Sequence, residues 1–158
     1  MNTAPQNLKD RTAIVTGSAQ GIGKAIAKRL SDAGATVAIA DLNLDNAKKT
    51  AQEIGNGAIA VPLDVSKLES VQQTIQTCLD AWDRVDILVN NAGIVGSGTP
   101  VKDLTEADWN HVLGINLTGV FLCSQAVLPT MLKQKKGTIV SVASIAGKEG
   151  NPNMAPYA

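Results

Sequence analysis

The sequence predicts an α/β fold, a doubly wound parallel sheet with helices on both faces. Five short aliphatic runs alternate with longer amphipathic segments, and this alternation with short connections is typical of βαβ units. Hydrophobic residues make up 44% of the 158 residues and aromatic residues only 3%, which suits small helices packed on aliphatic strands. The length, and the lack of repeats or linkers in the sequence, predict one domain over residues 1–158.

The first half of the chain contains three predicted strands and three predicted helices. Thr12–Thr16 is an apolar run bounded by charge and glycine, which is typical of a buried strand, and the helix after it ends at Gly34. The same pattern continues with a strand at Thr36–Ala40, a helix at Leu44–Ile54, a strand at Ala58–Pro62 and a helix from about Lys67, with Ser66 as its N-cap.

The second half adds two strands and one long helix. Val85–Val89 predicts a fourth strand, which leads into a polar, glycine-rich loop. The segment Thr105-Glu-Ala-Asp108 resembles a capping signature, so a helix is expected from there to about Gln134. Gly137–Val142 predicts the fifth strand, and Ser144 lies just past its end.

Charge and cysteine usage exclude several classes of protein. The 14 basic and 14 acidic side chains give a net charge of zero, which excludes a basic nucleic-acid-binding protein. Met1–Arg11 lacks the apolar core of a secretory signal, and no apolar stretch is expected to span a bilayer. Cys78 and Cys123 lie far apart, which favours reduced core thiols in a cytoplasmic protein. His111 has no Cys or His at ligand spacing, so no metal site is predicted.

A glycine-rich turn, Thr16-Gly-Ser-Ala-Gln-Gly-Ile-Gly23, leads from the first strand into the first helix. Gly17 permits a tight turn, Gly21 lets the backbone approach a pyrophosphate, and Gly23 allows the helix to pack closely on the strand. The helix N-terminus then offers N–H groups to phosphate oxygens. No Gly-Lys-Ser or Gly-Lys-Thr follows, which excludes a P-loop. The turn therefore predicts a dinucleotide site in a Rossmann-like fold.

Asp41 ends the second predicted strand, where a carboxylate can accept hydrogen bonds from a ribose 2′-hydroxyl and would repel a 2′-phosphate. The sequence has no Arg or Lys between Gly17 and Gly21, and Leu42 follows the acid. The simpler interpretation is an Asp that forms a turn between strand and helix. Together the turn and the acid predict NAD rather than NADP as the cofactor.

Further motifs, taken with this turn, resemble those of the smaller short-chain dehydrogenases/reductases. They are Asp64-Val65, Asn90-Asn-Ala-Gly93, Asn116, Ser144 and Tyr157. The resemblance runs from about Leu8 to the last residue and implies five strands in the order 3-2-1-4-5, with further strands beyond this chain. It also implies an NAD-dependent enzyme, a dimer or tetramer, that interconverts a secondary alcohol and a ketone.

The resemblance implies roles for these residues. Ser144 would hydrogen-bond the substrate oxygen, and Tyr157 would donate or accept the proton. Asn116, a poor helix former in mid-helix, would disrupt the local hydrogen-bond ladder and support a proton relay. Asp64 would contact the adenine ring. The implied cofactor-binding residues are Gly17, Ser18, Gln20, Gly21, Ile22, Gly23, Asp41, Leu42, Asp64, Val65, Asn90, Ala92 and Gly93.

The sequence departs from the family pattern after Tyr157. The family motif Tyr-x-x-x-Lys is cut at Ala158, so its lysine lies outside this sequence. We therefore expect an N-terminal portion of a longer enzyme, whose fifth strand has an open apolar edge. The alternative is a truncated, catalytically inactive dinucleotide-binding module.

The substrate remains open among a sugar acid, a polyol, a steroid-like ring and a 3-oxoacyl thioester. The loop Lys148–Met154 resembles that of sugar or aldonic-acid dehydrogenases, and a 3-oxoacyl carrier-protein reductase is equally compatible. Family members pair across the long helix. The apolar residues expected to contribute to that contact are Val112, Val120, Leu128 and Met131.

Overall fold

The computed structural model describes residues 7–158, which form five strands and six α-helices. The first six residues, part of the segment in which no secretory signal is predicted, lie outside the described residues. The strands are β1 (Thr12–Thr16), β2 (Thr36–Asp41), β3 (Ile59–Pro62), β4 (Ile87–Asn90) and β5 (Thr138–Ser141). The helices are α1 (Gly21–Asp32), α2 (Leu44–Ile54), α3 (Leu68–Trp82), α4 (Glu106–Leu113), α5 (Gly119–Gln134) and the one-turn α6 (Ala146–Glu149).

The strands form one parallel sheet in the order β3-β2-β1-β4-β5, which confirms the predicted doubly wound, Rossmann-like fold. Helices α3 and α5 pack on one face around Ile14, Leu88 and Val127. Helices α1 and α2 pack on the other face around Val15 and Ile39. The strand order reverses between β1 and β4, and ligands of such sheets bind at the carboxyl ends of the strands beside this reversal.

Strand β5 lies at the edge of the sheet. It pairs with β4, and none of the other strands within residues 7–158 pairs with its outer side. Val140 and Val142, near its end, are 47% and 45% exposed. This is the open apolar edge that the sequence predicts, and it is a template for pairing with a further strand.

Helix starts follow the sequence signals only in part. Thr105 Oγ1 accepts the N–H of Asp108 (3.1 Å), as the capping signature predicts. The prediction that Ser66 caps α3 is wrong, since its hydroxyl donates to Asp64 Oδ1 (2.6 Å) and Lys67 occupies the N-cap position. The hydroxyl therefore fixes the loop before α3, and the helix begins one residue later than the sequence predicts.

The helix Glu106–Gln134 is, by length and composition, apolar enough to cross a membrane, so the prediction that no stretch is long and apolar enough is wrong. In the fold, however, Cys123, Val127 and Met131 are buried against the sheet and α3. A core helix of an α/β domain passes the same test of composition. Between Gly114 and Gln134 its outer face carries four exposed large apolar residues, Leu117, Phe121, Leu128 and Leu132.

An ion cluster joins the amino-terminal ends of β1 and β4. The side chain of Asp86, 3% exposed, accepts hydrogen bonds from Arg11 Nη1 (2.9 Å), Arg84 Nε (2.8 Å) and the Thr12 N–H (3.0 Å). Burial by itself raises the pKa of Asp86, but the hydrogen bonds from Arg84, Thr12 and Arg11 outweigh it and lower the pKa to about 2. The carboxylate is therefore charged at neutral pH.

We expect Asp86→Asn to lower the free energy of unfolding by about 2 kcal/mol at neutral pH. This loss is smaller than that expected for a fully buried ion pair, because the side chains of Arg11 and Arg84 are partly exposed. The folded pKa lies below the unfolded value of about 3.9, so this stabilisation is present above about pH 4 and is lost as the pH falls towards 2. Urea unfolding of both proteins at neutral pH and at about pH 3 measures the effect. An equal difference at the two pH values would contradict the role given to Asp86.

Candidate active site

A cleft of about 320 Å³ opens at the carboxyl ends of β1 to β4, a volume in the range of small-molecule sites. Most of its lining consists of predicted cofactor residues, namely Gly17, Gln20, Asp41, Leu42, Asp64, Val65, Ala92 and Gly93. Four lining residues are not among the predicted ones, namely Leu63, Asn91, Ile94 and Ile115.

The glycine turn after β1 is packed tightly at Gly17 and Gly23 and open at Gly21. A Cβ on Gly17 would lie 2.8 Å from Ala92 Cα, and one on Gly23 would lie 2.5 Å from Asn91 Nδ2. Gly17 and Gly21 have φ of 61° and 60°, in the left-handed region that favours glycine. A Cβ on Gly21 would meet no atom within 4 Å, so Gly21 is on the side of the turn that a ligand can approach.

The N-terminus of α1 begins at this turn without a capping side chain. Within the described residues, Gln20 at the N-cap position makes no side-chain capping bond, and the first turn contains no acid. Its N–H groups are therefore available to an anion, which fits the pyrophosphate of a dinucleotide. Ser18 is fully buried with its Oγ donating to the Val15 carbonyl (2.6 Å), so it supports the turn from beneath, whereas Ile22 is exposed.

Asn91 connects the turn to the end of β4. Its Nδ2 donates to the carbonyl oxygens of Thr16 (2.9 Å) and Gly17 (3.0 Å). Thr16 Oγ1 in turn accepts the backbone N–H groups of Asn91 (3.0 Å) and Ala92 (2.9 Å). These four bonds set the distance between the glycine turn and the opposite wall of the cleft.

Asn90 lies beneath the cleft. It is 3% exposed, and its Nδ2 donates to Ser124 Oγ on α5 (3.1 Å) and to Ser141 Oγ at the end of β5 (3.4 Å). The side chain thus joins three elements under the site. Asn91 belongs to the same Asn-Asn-Ala-Gly motif, but sequence reasoning did not select it, because only the direction of the strand end decides which amide faces the turn.

Two carboxylates line the cleft at the ends of β2 and β3. Asp41 Oδ2 accepts the N–H of Ala19 (2.9 Å) and its Oδ1 accepts that of Asn43 (2.9 Å), which leaves each oxygen able to accept a further bond. Asp64 Oδ1 accepts the N–H (3.0 Å) and the hydroxyl (2.6 Å) of Ser66. Within residues 7–158, no Lys or Arg lines this cleft beside the two carboxylates.

Asn116 lies in a π-turn, Gly114–Thr118, which interrupts the long helix between α4 and α5. The predicted disruption of the helical ladder at this residue is confirmed. Its Oδ1 accepts the N–H of Ile94 (2.9 Å) and its Nδ2 donates to the carbonyl oxygen of the same residue (2.8 Å). Asn116 therefore holds the loop after β4, and Ile94 and Ile115 line the cleft as a result.

Ser144 and Tyr157 lie on adjoining segments past the end of β5. Ser144 is exposed just before α6. The N–H of Ala158 donates to the Met154 carbonyl (2.9 Å), so the half-buried Tyr157 lies within a single helical turn. The Ala158 carbonyl oxygen is 3.4 Å from where a Cβ on Gly147 would lie, so this turn packs beside α6. The fold thus brings the segments of the two predicted catalytic residues together.

The cysteines and the histidine lie apart from the cleft. Cys78 and Cys123 are free and buried, and burial raises the pKa of each thiol to about 12, so both are protonated and unreactive. His111 is exposed on α4. No group of three His, Cys, Asp or Glu side chains suited to a metal ion occurs in the part of the chain that the structure describes.

The sheet order, the open glycine turn and the carboxylate after β2 define the class of protein: an α/β domain of the dinucleotide-binding type. A family model described as short chain dehydrogenase matches residues 11–158. The chain belongs to the short-chain dehydrogenase family, as its motifs imply.

Known proteins of this family resemble the chain over nearly all of its length. A 3-oxoacyl-[acyl-carrier-protein] reductase of Synechocystis sp. is 44% identical over 154 residues, which cover 95% of this chain and 62% of that protein. A 2-dehydro-3-deoxy-L-rhamnonate dehydrogenase (NAD(+)) of Sphingomonas sp. is 44% identical over 147 residues, 93% of this chain and 59% of that protein. The crystal structure of an NAD+-bound xylitol dehydrogenase matches with a TM-score of 0.89 and 38% identity, over 95% of this chain and 59% of that one. The chain thus spans about three fifths of the length of these relatives.

Proposed function

We propose that the full-length protein is an NAD-dependent oxidoreductase that interconverts a secondary alcohol and a ketone. The observation that carries the proposal is the cleft, which is lined by Gly17 of the glycine turn, by Gln20 at the uncapped N-terminus of α1 and by the carboxylate of Asp41. The names of the relatives describe reactions of this class, and one of the solved structures is NAD+-bound.

The chain's own residues would position the reactants. Hydride transfer is the chemistry that a nicotinamide dinucleotide supplies when bound. The turn Gly17–Gly23 would hold the pyrophosphate, Asp41 the adenosine ribose and Asp64 the adenine ring. Ser144 would donate a hydrogen bond to the substrate oxygen, and Tyr157 would protonate that oxygen during reduction or take its proton during oxidation.

Asn116 would act indirectly, without contacting the substrate. Its π-turn interrupts the regular i to i−4 bonding of the helix, and in the proposed mechanism a backbone carbonyl of this turn would hold a water molecule of a proton relay. Its side-chain oxygen and nitrogen each make one hydrogen bond to the backbone of Ile94. The relay therefore depends on the backbone of the π-turn, while the amide side chain fixes its position.

Two substrate classes stay within the proposal, sugar acids or polyols and 3-oxoacyl thioesters. The loop Lys148–Met154 beside Ser144 is polar and largely exposed, which favours the first class. The rhamnonate and xylitol dehydrogenases support the same class, whereas the Synechocystis relative supports the second. A panel of polyols, sugar acids and 3-oxoacyl thioesters, assayed with NAD or NADH by nucleotide absorbance, decides between them. Binding of NADH without turnover of any panel member would favour the inactive module instead.

Asp41 is expected to make NAD bind more than tenfold more tightly than NADP, because a carboxylate that faces a phosphate without a basic partner costs more than about 1.4 kcal/mol. Asp41→Ala should narrow this ratio, which calorimetric titration with both nucleotides measures. Asp45→Ala, at an exposed acid in the first turn of α2, is the matched control and should leave the ratio unchanged. Equal affinities of the parent protein for the two nucleotides would sink the assignment.

We also propose a dimer or tetramer formed through the outer face of α5 and the π-turn. The contact residues predicted from the sequence need correction, because Val112 and Met131 are buried in the core and Val120 is partly buried. Of the predicted set, only Leu128 is exposed. The face that remains available is the one already described, Leu117, Phe121, Leu128 and Leu132, which lie at helical spacing.

Phe121→Glu is expected to convert the oligomer to a smaller species, because a two-fold interface would bring two added carboxylates close together on an apolar face. Sedimentation velocity of the full-length protein measures the change. Lys133→Glu, an exposed position near the end of the same helix, is the control for added negative charge. A monomeric parent protein, or an unchanged mass for Phe121→Glu, argues against this interface.

A further inference from the structure

Two side chains bind the backbone of Ala19, which lies in the middle of the glycine turn. Its N–H donates to Asp41 Oδ2 (2.9 Å) at the end of β2. Its carbonyl oxygen accepts the hydroxyl of Thr50 (2.7 Å) on α2. Ala19 is 6% exposed and Thr50 2% exposed, so neither backbone group of Ala19 has ready access to water. Each group therefore depends on its protein partner.

Ala19 lies two residues before the first residue of α1, so its position affects where the helix N-terminus points. It lies between Gly17, where the turn begins, and Gln20, the uncapped N-cap residue of α1. On the opposite side, Asn91 holds the carbonyl of Gly17 (3.0 Å). Within residues 7–158, Asp41 and Thr50 are the only hydrogen-bonding partners of the Ala19 backbone.

Thr50 itself lies outside the cleft and 31 residues from Ala19 along the chain. We propose that Thr50 is a positioning residue for the dinucleotide. Acting through the Ala19 carbonyl, its hydroxyl holds the glycine turn in the geometry in which the first N–H groups of α1 converge on a pyrophosphate. The inference rests on the proposed function in one respect, that the ligand of this turn is a dinucleotide.

The hydrogen bond from the Ala19 N–H gives Asp41 a second role. Asp41 lines the cleft, and its Oδ2 also accepts the N–H of Ala19. The carboxylate proposed to bind the ribose is therefore hydrogen-bonded to the turn proposed to bind the phosphates. Thr50 completes this connection from the α2 side. A substitution at Thr50 is therefore expected to weaken binding of the nucleotide without removing any atom that touches it.

Thr50→Val keeps the shape of the side chain and leaves the buried Ala19 carbonyl without its donor. NADH affinity, measured by fluorescence titration of the full-length protein, is expected to fall by about fivefold. Thr50→Ser keeps the hydroxyl and should restore the affinity to within about twofold of the parent. This rescue distinguishes the hydrogen bond from mere packing of the Thr side chain.

The matched control is Thr12→Val, at the opposite end of β1. Thr12 is 6% exposed, and its Oγ1 donates to the Arg84 carbonyl (3.0 Å) and lies 3.4 Å from Asp86 Oδ2, so the substitution also removes a threonine hydroxyl that bonds a backbone carbonyl. It should lower stability in urea and leave NADH affinity unchanged. A second readout needs no nucleotide: exchange of the Ala19 amide hydrogen should be faster in Thr50→Val than in the parent, while exchange in the middle of β1 is unchanged.

The outcomes separate the inference from the proposed function. NADH binding by the parent together with equal binding by Thr50→Val overturns the inference and leaves the function intact. An equal loss of affinity in Thr12→Val, or unchanged exchange at Ala19 in Thr50→Val, also overturns it. A parent protein that binds no NADH overturns the proposed function and the inference with it.

Discussion

Tyr157→Phe in the full-length protein is expected to lower kcat by about a thousandfold while NADH affinity stays within about twofold of the parent. The phenol is the group to which the proposed mechanism assigns the substrate proton, and phenylalanine keeps the ring but carries no proton. The ring is half-buried in the turn Met154–Ala158, so the substitution preserves its packing. Steady-state kinetics with the best substrate of the panel and a fluorescence titration with NADH measure the two quantities.

Ser144→Ala serves as the companion variant, because its hydroxyl would stabilise charge on the substrate oxygen without transferring the proton. Its kcat is expected to fall by about a hundredfold, less than that of Tyr157→Phe. Thermal unfolding of Tyr157→Phe should match that of the parent, since the substitution removes a single oxygen. Ser144→Ala should cost only a little stability, because the exposed Ser144 loses the one bond that its Oγ accepts from the Ala146 N–H (3.2 Å). A Tyr157→Phe enzyme that retains more than about a tenth of the parent kcat would rule out the assigned role.

Gly23→Ala is expected to weaken NADH binding by more than about a hundredfold, the largest effect on binding that the cleft predicts. The added Cβ would overlap the carbonyl oxygen of Gly17 and lie 2.9 Å from Ser18 Cα and 2.5 Å from Asn91 Nδ2. Two of these are backbone atoms of the glycine turn itself, so relief requires the turn to move away from α1. The same strain is expected to lower the free energy of unfolding by about 2 kcal/mol without unfolding the protein.

Gly114→Ala is the matched control for Gly23→Ala. Gly114 is also helical, but a Cβ there would meet only Ser66 Cβ, at 3.9 Å, an ordinary van der Waals contact. Fluorescence titration should therefore show parent-like NADH affinity for Gly114→Ala, and circular dichroism should confirm that both variants are folded. NADH affinity of Gly23→Ala within about tenfold of the parent would show that the turn tolerates a Cβ and that its geometry is less constrained than proposed.

The strands were predictable because each is a short aliphatic run bounded by charge or glycine, but the ends of β4 show the limit of that reasoning. The predicted strand covers Val85–Val89, whereas the observed one covers Ile87–Asn90. Val85 instead exchanges backbone bonds with the amide of Gln134, 49 residues away, at 3.1 and 3.0 Å. Apolar character alone does not reveal that a side chain from a distant helix end replaces the ladder there.

The sequence by itself determined the alternation of strands and helices, the glycine turn and the acid after β2, because each depends on local spacing and on which residue types can adopt a turn or fill a core. Only the tertiary structure decided which polar groups meet across the cleft. The deciding bonds connect residues far apart in sequence: Asn91 with Thr16, Thr50 with Ala19, and Asn116 with Ile94. The physical reason is that a buried backbone group must find a partner among whatever packing brings near it, and no local pattern encodes that neighbour.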